Sequence, residues 1–277
     1  MLRLARSLPL VGVLTSGSAF AVFPDYGADT TYTSVGQVGG ASGVAIDTRW
    51  VLTAQHVNGS VFSLPGFGAF NVVENIEPEI VNGVRPDLRL LRVDRDLPSF
   101  TRIDTRVPTL GSVDIVGFGE SGSEFAGGGY SIPGGTAGTR RRASNRIEGL
   151  ADISFNENPA VPSWTTMYYQ LSSRTDPTRV ENEGGLAGGD SGGGFFYNFG
   201  DGARLVATNS AIGADEGMSE YAYGGYGFGT YLGSPESLAF LQRYVPQAIA
   251  PQSPVPEPAT LAVLGVGALA MLRRRRR

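Results

Sequence analysis

The apolar residues of this chain come in short runs, and that brevity constrains the fold more than any other feature. GVAIDTRWVLTA, SVFSLPGFGAFNVV, LRLLRV, SVDIVGFG, TMYYQLSS, GGFFYN, RLVATNSAIG and YGFGTYL are rich in β-branched and aromatic residues. Each is about a strand long, and Gly, Pro, Asn and Asp separate them, drawn from 40 glycines and 17 prolines in 277 residues. Helical punctuation is confined to 234–245, SPESLAFLQRYV, where Ser234 can cap, Pro235 occupies the first turn, and Leu238, Leu241 and Tyr244 recur every three residues. The expectation is an all-β fold with one short C-terminal helix. Two stretches break the rhythm. Residues 94–110 are predicted to link two comparable β units, and residues 119–138 to form a long surface loop in the second.

The two ends carry a different pattern. MLRLARSLPLVGVLTSGSAFA, residues 1–21, has two arginines, an apolar stretch and a small-residue Ala19-Phe20-Ala21 site, the pattern of a cleaved secretory signal. A signal peptidase would leave a mature chain beginning at Val22. At the other end Val255-Pro256-Glu257-Pro258 precedes a 14-residue apolar run, Ala259 to Leu272, closed by Arg273 to Arg277. That run falls short of the roughly 20 residues that cross a bilayer comfortably. In its motif and its three-part order the segment resembles a PEP-CTERM sorting signal. The resemblance implies transient membrane anchoring by the tail, processing by an exosortase, and a destination in the cell envelope or medium of a Gram-negative bacterium.

The ends also hold seven of the 22 arginines, which are the chain's only cationic side chains apart from its histidine. Residues 22–254 are left with 15 arginines against 25 acids, a net charge of about −10. Such a body is a poor partner for nucleic acid, whose phosphates need clustered basic groups. The one basic cluster, TRRRASNR at 139–146, is expected to be a solvated strand edge. Cysteine is absent and histidine occurs once, so the usual zinc ligand sets cannot be assembled, and no acidic cluster has calcium-ligand spacing. No cofactor or metal is expected.

One segment, GGLAGGDSGGGFF at 184–196, packs seven glycines around a single serine. Glycine clusters suit sharp turns or close backbone approach, so this loop could present Ser191. A serine hydroxyl becomes a useful nucleophile when a base of near-neutral pKa takes its proton and a carboxylate fixes that base. His56, in WVLTAQHV, is the one imidazole available. Asp87, in VRPDLRLLRV, stands just before an apolar strand where its carboxylate could meet the ring, whereas Asp94 and Asp96 lie in a polar turn. Order along the chain discriminates further. Gly189-Asp190-Ser191-Gly192-Gly193 fits the nucleophile elbow of α/β-hydrolases, but there the histidine follows the serine, and none does here. The subtilisin order would need Asp25, Asp29 or Asp47 ahead of the histidine, and none of the three stands in a convincing setting.

His56, Asp87, Ser191 is the remaining order, and with it SGVAIDTRWVLTAQHV, PDLRLLRV, VDIVGFG and GGDSGGGFF resemble the successive signature segments of trypsin-like, chymotrypsin-fold serine proteases over most of 42–233. The resemblance implies two perpendicular six-stranded β-barrels and a C-terminal helix, with protein or peptide substrates. It makes His56 the general base, Asp87 its orienting acid and Ser191 the nucleophile, with the N–H groups of Gly189 and Ser191 as the oxyanion hole. Gly185 would stand at the floor of the primary pocket, whose lack of an acid there implies apolar side chains in the substrate. Ser210 and Gly213 would lie on the edge strand that pairs with substrate backbone. Asp190 would pair with a positive group beneath the loop, for which the amino group freed at Val22 is a candidate. The chain departs from the family pattern at Gln55, Val57 and Gly194, none of them a reacting group. The predicted organisation is a signal at 1–21, a first barrel at 22–100, a second barrel with helix at 101–245, a linker at 246–254 and a sorting segment at 255–277. A secreted serine endopeptidase is the leading reading. A catalytically silent surface binding domain on the same fold, and an esterase using the same residues, are the alternatives.

Overall fold

Three of the short runs, with a strand at 35–38 that none of the runs covers, close on one another. The computed structural model describes residues 22–108, 111–125, 127–155 and 161–251, so the predicted signal and sorting segments lie outside it. Strands β1 (Val35–Val38), β2 (Ala41–Asp47), β3 (Trp50–Thr53), β4 (Val61–Leu64), β5 (Gly68–Ile76) and β6 (Arg89–Val93) form a closed antiparallel barrel in the order β1-β2-β3-β6-β5-β4. The seam is β1 against β4, pairing Gln37 with Ser63 and Val38 with Phe62. Alternation sends Val38, Ala45, Val51, Phe62, Phe70, Leu91 and Val93 into one buried cluster.

The later runs build a second antiparallel sheet. Its strands are β7 (Ser112–Gly117), β10 (Arg141–Arg146), β11 (Gly149–Ile153), β12 (Trp164–Gln170), β13 (Gly194–Asn198), β14 (Ala203–Gly213) and β15 (Tyr226–Tyr231), in the order β10-β7-β13-β14-β15-β12-β11. A small hairpin, β8 (Ser123–Phe125) and β9 (Gly129–Ser131), lies in the stretch expected to be loop. A closed barrel, a second sheet and one short helix are consistent with the expected chymotrypsin-like two-barrel fold. The second unit differs in detail: its hydrogen bonding runs across seven strands, because a tight return after β10 adds β11 beside β12.

The helix, α1 (Pro235–Tyr244), forms where its punctuation predicted. Ser234 accepts the Ser237 N–H at 3.2 Å, Pro235 occupies the first turn, and Arg243 sits in the last, where a cation favours the helix dipole. Its Phe240 and Leu241 enter a cluster with Val44, Leu52 and Leu88 from the barrel side and Val116, Phe196 and Leu205 from the second sheet. This shared core joins the two units.

The basic stretch at 139–146 is an edge strand, as predicted, but only Arg142 and Arg146 of its four arginines keep to solvent. Ala28 and Asp29 lie against its start, with Asp29 N–H bonded to the Arg140 carbonyl at 2.8 Å and Ala28 bridged to Arg141, and residues 182–184 pair with Ser144 further along. Arg140 and Arg141 are consequently buried. Arg140 meets the Asp29 carboxylate at 3.2 Å and also donates to the Val35 carbonyl, and Arg141 meets Asp25 at 3.0 Å. The edge is covered by the chain itself. Removing one partner of a buried ion pair leaves an uncompensated charge. Asp29→Ala is therefore expected to lower unfolding free energy by about 3–5 kcal/mol, read from urea denaturation, while an equivalent change at the exposed Asp96 should shift it by less than about 1 kcal/mol.

Candidate active site

The barrel supplies two of the predicted site residues and the second unit the third. His56 lies in the turn that follows β3, Asp87 stands two residues ahead of β6, and Ser191 occupies the turn leading into β13. Because β3 pairs with β6, with Thr53 opposite Arg89, the ends of these strands bring His56 and Asp87 together. His56 Nδ1 lies 3.0 and 3.1 Å from the two Asp87 oxygens, and His56 Nε2 lies 2.8 Å from Ser191 Oγ. The carboxylate is buried and the imidazole about one-third exposed.

Asp87 is held by more than the imidazole. Its Oδ1 accepts the Gln55 N–H at 2.9 Å and the His56 N–H at 3.3 Å, and its Oδ2 accepts the Ser210 hydroxyl at 2.5 Å. An ionised carboxylate only accepts, so Nδ1 carries the ring proton and Nε2 turns its lone pair toward Ser191. Arg89, buried on β6, donates to the Gln55 carbonyl and to Asn58 Oδ1, both at 2.6 Å, and pairs with Glu77 at 2.7 Å. It fixes the turn that carries His56. An arginine in the apolar LRLLRV run was the available sequence signal for this role.

The serine turn is tied to the barrel through Ser42 and Thr53. Ser42 N–H donates to the Ser191 carbonyl at 2.9 Å, its hydroxyl donates to the Gly189 carbonyl at 3.1 Å, and its carbonyl accepts from Thr53 Oγ1 at 2.7 Å. Two of the glycines are demanded by geometry. Gly189 has φ +87°, and Gly192 has φ +83° with so little room that a Cβ would sit 2.0 Å from Thr53 Oγ1. Among the described residues, the N–H groups of Gly189 and Ser191 have no acceptor.

The predicted substrate-contacting residues fall in different settings. Ser210 and Gly213 lie on β14, whose segment 211–213 pairs with β15 on one side, but the Ser210 hydroxyl is engaged with Asp87. Gly185 exchanges two backbone hydrogen bonds with Phe23, at 2.9 and 3.0 Å, and a Cβ there would meet Tyr169, Leu171 and Phe23. None of these three neighbours is charged. The nearby Glu183 is buried and receives the N–H groups of Ser172 and Val180, while Asp94 and Asp96 are taken by Asn71 and Arg49.

Asp190 is fully buried beneath the turn. Its carboxylate accepts N–H groups from Ala187 at 2.9 Å, Gly119 at 3.2 Å and Val22, which is itself completely buried. Burial pushes the Asp190 carboxyl well above the usual carboxylate range, and these hydrogen bonds oppose the rise only in part.

Comparison with known proteins adds two findings. Residues 254–277 match the PEP-CTERM protein-sorting motif, which implies export and exosortase-dependent sorting in Gram-negative bacteria. The chain carries that sorting signal. No helix among the described residues is long and apolar enough to cross a membrane. No curated protein matches the chain. Among solved structures, the chain is similar to the Rv3671c protease in its inactive form, with 19% identity over 80% of this chain and 99% of that one and a TM-score of 0.48. It is also similar to an inactive mutant of a chimeric murine norovirus NS6 protease, with 16% identity over 74% and 96% and a TM-score of 0.39. These are likenesses of chain path and bear on no activity.

The raised Asp190 carboxyl sets a pH dependence. With Val22 amide-linked to a preceding residue, the group's contribution to stability is complete below its unfolded pKa of about 3.9 and is lost as pH rises toward the higher folded value. Between about pH 4 and 7 the balance of stability should therefore move from the wild type toward Asp190→Asn, by at most about 1.4 kcal/mol per pH unit. Denaturant titrations of both proteins measure this, and a pH-independent difference would refute it.

Proposed function

We propose that the chain is a secreted serine endopeptidase that cleaves protein or peptide substrates through an acyl-enzyme intermediate. The observation that carries this reading is the continuous line of contacts from Asp87 through His56 to Ser191 Oγ, with a buried carboxylate at one end and an accessible hydroxyl at the other. As the peptide carbonyl is attacked, the Ser191 proton passes to His56 Nε2, and the imidazolium formed is stabilised and aligned by Asp87. The oxyanion is received by the N–H groups of Gly189 and Ser191, the former turned by its positive φ. Each such donor supplies about 3–4 kcal/mol to the transition state in a comparable hydrolase. His56 then returns the proton to the leaving amine, and a water molecule, deprotonated in its turn by His56, releases the acyl group. Esters would follow the same course, so an esterase differs in substrate alone.

A silent binding domain on this fold would have no use for these groups in this order. A buried carboxylate is costly to desolvate and is retained where its partners need it. Labelling by a fluorophosphonate is expected for the native protein and not for Ser191→Ala. Ser191→Ala and His56→Ala should each lower kcat by at least about 10³-fold with the fold intact by circular dichroism. A native protein that resists the reagent would favour the binding domain.

Maturation belongs to the same reading. Signal peptidase cleavage after Ala21 would turn the Val22 N–H now facing Asp190 into a charged amine, giving the buried carboxylate a counter-ion. Asp190 precedes the nucleophile, so the serine turn would be completed by export itself. The value of such a pair, about 3–5 kcal/mol on removal of one partner, predicts a loss of about 100-fold or more in activity when one residue is left ahead of Val22 or when residues 22–25 are deleted. Peptidase assays on chains with defined N-termini test this, and unchanged activity would dispose of it.

A further inference from the structure

We infer that Asn209 is a positioning residue for the nucleophile, holding the Asp190–Ser191 peptide so that the Ser191 N–H faces the reacting carbonyl. The inference rests on the reading of Ser191 as nucleophile.

Asn209 and Ser210 are neighbours on β14, where successive side chains leave opposite faces of the strand. The pairing of β14 with β15 shifts register between Asn209 and Ala211, a bulge that re-aims the side chains beside it. Ser210 thereby reaches Asp87, and Asn209 turns the other way, beneath the serine turn. Its side-chain amide donates to the Val116 carbonyl on β7 at 3.0 Å and to the Asp190 carbonyl at 3.1 Å. Its backbone takes part as well, since Asn209 N–H bonds the Gly193 carbonyl at 3.0 Å and Gly192 N–H bonds the Asn209 carbonyl at 2.9 Å.

The Asp190 carbonyl is the decisive acceptor. It receives the Asn209 amide and also the Gly193 N–H at 2.8 Å, so both its lone pairs are engaged. The peptide that carries this carbonyl carries the Ser191 N–H on its opposite side, and a trans peptide is planar. Drawing the oxygen inward therefore turns the N–H outward, toward the bond to be broken. Rotation of that peptide would remove one oxyanion donor without moving any triad side chain.

The other half of the Asn209 amide argues for a role beyond stability. Its Oδ1 is buried and has no hydrogen-bond partner. Exchanging oxygen and nitrogen would place Oδ1 against two carbonyls, so the assignment is fixed by the acceptors. An apolar side chain of similar volume would avoid the orphaned acceptor, yet it would leave the Asp190 carbonyl held by the Gly193 N–H alone.

Asn209→Asp, which keeps the shape and removes the donors, and Asn209→Leu, which removes all polarity, are compared with the native protein. Three readouts are used: steady-state kinetics on a chromogenic ester, the backbone amide resonances of Ser191 and Gly193, and thermal unfolding. The expected result is a fall in kcat of about 10- to 100-fold, short of the loss on deleting an oxyanion donor outright, with KM within about threefold. The Ser191 and Gly193 amide resonances should move while the rest of the spectrum stays in place. Unchanged kcat in folded variants, or a loss of activity that tracks only the fraction unfolded, would overturn the inference. Should the native protein resist fluorophosphonate, the peptidase reading fails and the resonances still decide. Unmoved Ser191 and Gly193 amides in both variants would sink the positioning role, and displaced ones would support it.

Discussion

The buried carboxylate of Asp87 is the constraint on which the rest of this structure depends. A charge withdrawn from water must be surrounded by donors, and those around Asp87 come from both halves of the molecule. Gln55 and His56 donate from the barrel, and Ser210 donates from the second sheet. The two β units must therefore meet in one register for the carboxylate to be satisfied. The apolar core shared by Val44 and Leu52 with Val116, Phe196 and Leu205 supplies the adhesion, which is non-directional, while the carboxylate supplies the direction. Packing alone would tolerate small slides of one sheet over the other, and hydrogen bonds of 2.5 to 3.3 Å would not.

With no cysteine anywhere in the chain, the junction is fastened by polar side chains. Ser42 illustrates the substitution. One hydroxyl accepts the Phe118 N–H from the second unit and donates to the Gly189 carbonyl, while its own backbone N–H holds the Ser191 carbonyl. Each of these bonds is modest in net energy, about 1 kcal/mol, but each is buried or half-buried, where leaving a partner unmatched costs more than the bond contributes. The result is a turn whose peptides are held individually. Gly189 is fixed by Ser42, Asp190 by Asn209 and Gly193, and Gly192 by contact with Thr53. Many weak fixed points do here what one covalent staple would do elsewhere.

What could be seen in the sequence follows from which forces are local. Strand rhythm, the Ser234 cap and the Pro235 start depend on neighbours within a few residues, and α1 and most strands stand where those signals put them. The order His56, Asp87, Ser191 narrowed the chemistry because each alternative arrangement demanded a residue the chain lacks or places badly. The β8–β9 hairpin was hidden by its glycines, which read as loop, and β11 by alternation too brief to register. The burial of Arg140 and Arg141 could not be read at all, because it depends on Asp25, Ala28 and Asp29, more than 100 residues earlier in the sequence, lying against the edge. Asn209 was invisible for the same reason: an asparagine in a strand is a weak signal until the carbonyls it meets, on Val116 and Asp190, are known.

The two aspartates beside the serine turn illustrate how environment gives one side-chain type two different settings. Asp87 is buried among donors from four groups and faces an imidazole. Asp190 is buried more completely, its donors are backbone N–H groups, and its carboxyl is displaced upward by the loss of water. A group displaced in that direction is sensitive to any positive charge brought beside it, since a single ammonium would restore the ionised form. The segment that could bring that charge is also the one that covers the start of the β10 edge and packs Phe23 against Gly185. Anchoring at Asp25 and Asp29 by Arg141 and Arg140 fixes this segment a few residues from Val22. Val22, the first buried residue among those described, thus lies a few residues from ion pairs that do not touch the site, and it meets the carboxyl of Asp190, whose peptide carries the Ser191 N–H.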